Sequence, residues 1–159
     1  MQTSQADWTG SRLSLTRQGT TAVVRLFNPP HGCMDEAMER EMRRLPLRCL
    51  TEHHFYQYND AAKSVVQPAD EIKYLAPRML ELLAQGARLH HSTELYLDRL
   101  GRCEPGSFSS QESAALQAFA RAFFALGLEQ WAAEPDTSVF QGEEAFSFLL
   151  MWDYAGVPL

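Results

Sequence analysis

No lysine or arginine follows Arg121, and only two lysines occur among the 159 residues. Residues 122–159 are thereby excluded as a nucleic-acid surface, because duplex affinity rests on neutralising phosphates with Lys and Arg. The same stretch carries Glu129, Glu134, Asp136, Glu143, Glu144 and Asp153, whereas residues 1–121 balance to zero, so the whole net charge of −6 lies in the last quarter. An acidic block of this kind attracts a basic protein partner and speeds its encounter. The plainer reading of any one of these residues is a solvated, solubilising helix face.

Cysteine is scarce as well. Cys33, Cys49 and Cys103 are odd in number and not closely spaced, which excludes a secreted disulfide framework and predicts reduced thiols. Neither Cys-x-x-Cys nor His-Glu-x-x-His occurs, and no phosphate loop, dinucleotide fingerprint or nucleophile elbow is present, so no motif signals an enzyme. Long apolar runs are missing too. The longest, "ALQAFARAFFALGL", is interrupted by Arg121 and is too short to span a bilayer, and the first residues lack a basic-then-apolar signal. A cytoplasmic location is expected.

What remains is ordinary for a soluble globular protein: 45% hydrophobic and 21% charged residues, without low complexity or a repeat. The length suits a single domain over residues 1–159. From residue 31 onward the patterning is that of an all-α bundle or helical-hairpin array. "DEAMEREMRRL" is helical by composition and charge pairing. Thr51 can cap a helix over "EHHFYQYNDAAKSVV", in which Phe55, Tyr58, Ala62 and Val65 fall on one stripe. A third helix begins near Pro68, buries Ile72, Leu75, Met79, Leu82 and Leu83, and ends at Gly86, with Pro77 predicting a break in "YLAPRML". Ser92 or Thr93 opens a short helix ending at Gly101.

Ser109 to Glu112 spell a capping box that starts a long helix with Leu116, Phe119, Ala120, Phe123, Leu126 and Trp131 on its apolar face. "EPDTS" is a loop, and a last helix runs from Glu143 to about Tyr154, stopped by Gly156 and Pro158. The first 30 residues admit two readings, a short β-hairpin around Gln18-Gly19 or a helix, and "NPPHGC" is a turn.

The candidate chemistry is thin. His31, Cys33 and one of the pairs His53-His54 or His90-His91 could make a metal or thiol site. However, adjacent histidines on a helix diverge by about 100° and do not easily face one ion. His90 and His91 are expected as exposed polar residues in the joint between two helices, with a pH-sensitive edge. Neither metal nor cofactor is expected. Trp152 and Tyr154, beside the acidic block, are expected to be exposed and to serve a partner interface.

At "MRRLPLRCLTEHHFYQY" and "DEIKYLAPRMLELLAQG", and again at "HSTELYLDRLGRC", "FSSQESAALQAFARAFF" and "SFLLMWDYAG", the chain resembles a largely uncharacterised family of bacterial helical proteins. That family carries a Pro-Leu-Arg-x-Leu-Thr opening and a Tyr-x-x-Pro-Arg-x-x-Glu-Leu helix, and some members are encoded beside polymorphic or type VI-secreted toxins. Pro46, Leu47 and Thr51 fall on the first motif, and Pro77, Arg78, Glu81 and Leu82 on the second. All are read as scaffold, with Arg78 and Glu81 one turn apart and able to pair. Ala76 departs from the family's aromatic or leucine before the proline. Relatives also continue past residues 153–156, so the chain is expected either to lack a trailing helix or to be a shortened form.

The resemblance implies an immunity-type protein that binds and occludes a cognate toxin domain, with the acidic block suited to the basic surface of a nuclease. Two other classes stay open: a small metal- or thiol-dependent enzyme, and a structural or adaptor helical domain.

Overall fold

A computed structural model describes residues 34–159; the first-30 readings and the candidates His31 and Cys33 lie outside them. Six α-helices lie among the described residues: α1 (Glu36–Arg44), α2 (Glu52–Asp60), α3 (Ala69–Ala84), α4 (Asp98–Gly101), α5 (Ser110–Ala133) and α6 (Ala145–Tyr154). Single 3-10 turns occur at Leu47–Cys49, Thr93–Leu95 and Pro135–Thr137. The described residues form no strand, and Gln67 and Cys103 make one isolated parallel bridge. The fold class is all-α.

Local chemistry accounts for most helix ends. Asp35 caps α1 by accepting from the backbone N–H groups of Ala37 and Met38, and Glu39 pairs with Arg43 one turn on. At α2 the reciprocal bond comes from His54, whose Nδ1 accepts from the Thr51 N–H at 3.0 Å. Ser109 and Glu112 close the capping box of α5 as their spacing predicts, with both bonds present. Gly86 and Gly156 end α3 and α6 with φ of 77° and 70°, a left-handed conformation that costs glycine nothing. In each, two carbonyls of the last turn are satisfied: Leu82 and Leu83 accept from Ala87 and Gly86, and Trp152 and Asp153 accept from Val157 and Gly156.

Three expectations are corrected. First, α3 runs unbroken through Pro77. Proline removes one backbone bond there, but Leu75, Ala76, Met79 and Leu80 are buried on both sides of it and keep the helix continuous. Second, α2 stops at Asp60 instead of reaching Val66, and Val65 is 91% exposed. The reason is long-range: Arg99 donates to the carbonyls of Tyr58 and Ala61, and Asn59 donates to the carbonyls of Leu89 and Tyr96. Acceptors that would have continued the helix are used by another element. Third, the helix expected from Ser92 to Gly101 is split into the Thr93–Leu95 turn and α4.

One buried cluster draws on every helix. Phe55, Ile72, Leu75, Leu80, Leu83, Leu97, Phe140, Met151 and Trp152 are among its most enclosed side chains. α6 packs most closely on the Thr93–Leu95 turn. Between α5 and α6 the contact is aromatic: Phe123 lies 5.6 Å from Phe148 and 6.1 Å from Trp152, and Phe140 stacks on Phe148 at 4.4 Å. Trp152 is therefore core and not exposed, contrary to the expectation that it serves an interface. Its neighbour two residues on, Tyr154, is 46% exposed. No helix among the described residues is long and apolar enough to cross a membrane.

Candidate functional site

The acidic residues all lie on the outside. Glu129 is exposed near the end of α5, Glu134 caps that end, Asp136 lies within the turn after it, Glu144 stands at the N-terminal cap of α6, and Asp153 is exposed near the other end. Glu143 is half-buried and lies 3.8 Å from Arg88. No ion pair engages Glu129, Glu134, Asp136, Glu144 or Asp153 among the described residues. Their field is thus not cancelled locally.

Apolar side chains stand among these acids. Phe146 is 62% exposed and Leu149 40%, and with Leu150 and Asp153 they fall at i, i+3, i+4 and i+7 on one face of α6. Leu128 and Trp131 are exposed on the last turns of α5, which corrects the placement of Trp131 on the buried face. A signal for Phe146 and Leu149 existed in "AFSFLLMWDY". That helix is apolar on every side, and one side of a surface helix must face outward. Large apolar side chains are thus left exposed on the same two helices that carry the carboxylates without an ion-pair partner.

The scaffold residues behave as a joint. Pro46 precedes the Leu47–Cys49 turn and Thr51 caps α2. Arg78 in α3 donates through Nε to the Leu50 carbonyl at 2.9 Å and through Nη1 to Glu81 at 2.9 Å. The two motifs meet at that bond, which ties α3 to the turn before α2.

A second polar assembly is fully enclosed. Tyr58 donates to Glu71, Gln67 donates to Glu71 at 2.9 Å, and Arg99 donates to Gln67 at 2.9 Å while its guanidinium lies 4.2 Å from the centre of the Tyr58 ring. Beside it, Lys63 pairs with Asp98 at 2.8 Å. Burial, and then the Glu71 carboxylate, raise the Tyr58 pKa well above that of a free phenol, so its proton stays on at neutral pH. These groups pair with one another, with only the Arg99 Nε left without a hydrogen-bond partner among them, and the arrangement is structural.

The thiols offer little. Burial, and then Glu71, push the Cys103 thiol up to about 11 against the opposing pull of Lys73. Because the thiolate is the reactive form, Cys103 is expected to alkylate with iodoacetamide at neutral pH at least about tenfold more slowly than the exposed Cys49. Peptide mass spectrometry over a time course measures both, and equal rates would contradict the assignment of Cys103 as an inert, partly buried thiol.

His90 and His91 lie in the joint between helices as expected, but only one of them is exposed. His90 is buried, with 5% of its surface exposed, and His91 is exposed. The backbone at residues 90–91 is not helical, so the divergence that applies on a helix does not apply here. Both rings turn toward Asp60 at the end of α2: His90 Nε2 and His91 Nδ1 each lie 3.7 Å from Asp60 Oδ1. Burial, and then the neighbouring His91 and Lys63, hold the His90 pKa below the ordinary histidine value, which keeps that ring neutral at pH 7. In the other pair His53 is exposed, while His54 is buried with Nε2 3.6 Å from Glu41.

No protein-family model matches the chain, and no curated protein and no solved structure is found similar to it.

Proposed function

We propose that the chain is a non-enzymatic binding protein of the immunity type, which occludes a cognate secreted toxin domain with a basic surface, such as a nuclease. The observation that carries this reading is the exposed surface of α6 and of the last turns of α5. There Phe146, Leu149, Leu128 and Trp131 stand exposed among Glu129, Glu134, Asp136, Glu144 and Asp153, and no lysine or arginine follows Arg121. On this reading the apolar side chains supply most of the affinity and the carboxylates steer a cationic partner into register. Inhibition is by occlusion. The carboxylates take up the cationic groups that would otherwise hold phosphates.

The test uses whatever protein co-purifies with the full chain from the producing cell, or the product of the neighbouring reading frame. The double substitution Glu143→Lys with Glu144→Lys is expected to slow association about tenfold or more at low salt, and the gap should close as salt rises. Phe146→Ala should instead speed dissociation. A partner that is acidic, or association rates unchanged by the charge reversal, would sink the reading. Thermal melting of the free variants checks that all sites are merely surface.

A further inference from the structure

We infer that Asp60, His90 and His91 form a binding site for one divalent transition-metal ion of the zinc class. The three residues come from two segments far apart in sequence, the end of α2 and the connection after α3. Each offers one ligand atom, and the three atoms lie within 4.8 Å of one another. In a tetrahedral site with bonds of about 2.0–2.1 Å, ligand atoms are separated by roughly 3.4 Å. The two nitrogen-to-oxygen separations of 3.7 Å are close to that spacing. Asp60 and His91 are 56% and 61% exposed, so their side chains have room to rotate toward that spacing.

Charge favours a cation at this place. Asp60 is the last residue of α2, so its carboxylate adds to the negative end of the helix dipole. Lys63, whose positive charge is felt at His90, is paired with Asp98 at 2.8 Å, which offsets part of its repulsion toward a cation. The donor set of two imidazoles and one carboxylate selects zinc, nickel or copper over magnesium and calcium, which prefer all-oxygen sites. Water completes the coordination on the open side.

One feature of the site sets the expected strength. Ser92 N–H donates to His90 Nδ1 at 3.1 Å, which places the His90 proton on Nε2, the nitrogen facing Asp60. Ligation through Nε2 sends that proton to solvent while Nδ1 takes one up, and the Ser92 bond is released. The ring stays neutral and the proton balance is zero. An affinity weaker than that of a preformed structural zinc site follows. His90 is otherwise held in place, buried and stacked with Tyr56 at 6.2 Å. A bound ion would pin the end of α2 to the segment before the Thr93–Leu95 turn, on which α6 rests.

The experiment is calorimetric titration of zinc chloride into the full chain, purified without a histidine tag and stripped with a chelator. One equivalent of zinc is expected to bind, magnesium chloride is expected to give no heat, and zinc should raise the melting temperature. His91→Ala and Asp60→Asn are each expected to weaken zinc at least about tenfold and to abolish the thermal shift, with the helical circular dichroism of the free protein unchanged. Absence of stoichiometric binding would overturn the site. So would zinc binding that survives undiminished when His91→Ala and Asp60→Asn are combined, since the ion would then be held elsewhere.

Discussion

Arg99→Ala is expected to cost roughly 3–5 kcal/mol, close to the whole stability of a domain whose total lies near 5–15 kcal/mol. Arg99 is 4% exposed, and its guanidinium serves the side chain of Gln67 and the carbonyls of Tyr58 and Ala61 while lying on the Tyr58 ring. Truncation leaves two buried acceptors and one part-buried acceptor without the Arg99 donor, each buried one costing about 1–3 kcal/mol before water relieves part of it. The carbonyls belong to the end of α2 and to the residue after it, so the loss also frees the path of residues 61–67. Lysine in the same place is expected to recover little, because an ammonium cannot span the planar fork that reaches all three acceptors. Urea unfolding of Arg99→Ala and Arg99→Lys measures this. A loss below about 1 kcal/mol in the alanine variant would mean that the network is decoration.

Trp152→Ala is expected to destabilise by about 3–5 kcal/mol, through lost burial and the cavity left behind. The indole is fully buried and meets Phe119 and Phe123 edge to face, each with ring centres 6.1 Å apart. Its Nε1–H has no acceptor among the described residues, a standing cost that phenylalanine would remove. Trp152→Phe is therefore expected to lose clearly less than Trp152→Ala. By contrast Tyr154→Ala, at a position 46% exposed, should stay within about 0.5 kcal/mol. The three variants separate core from interface by position. An alanine at residue 152 that left the unfolding midpoint unchanged while weakening a partner would restore the interface role which burial denies it.

The face proposed for partner binding was half legible. The carboxylates could be named because net charge is a sum over composition and needs no coordinates. Phe146 and Leu149 could not be separated from Phe148 and Met151, because α6 is apolar on all sides and only its neighbours decide which side is covered. Aromatic contacts from α5 and Phe140 cover the side bearing Phe148 and Trp152, and that choice sends Trp152 inward and leaves Phe146 out.

Helix starts and stops that depend on residues within a turn of one another were readable from the order of residues alone. The capping box of Ser109 and Glu112, the glycine ends at Gly86 and Gly156 and the charge pairing of α1 belong to this class, since their partners lie within about five residues. Where α2 ends, whether Pro77 breaks α3 and where His90 and Trp152 point were set by groups distant along the chain. Arg99 reaches back 41 residues to the Tyr58 carbonyl, and His90 meets Asp60 from the far side of α3. Local hydrogen bonding and periodicity carry no information about such meetings. Packing brings those groups together, and only then do they compete for the acceptors and the space that a local rule assigns to the next turn.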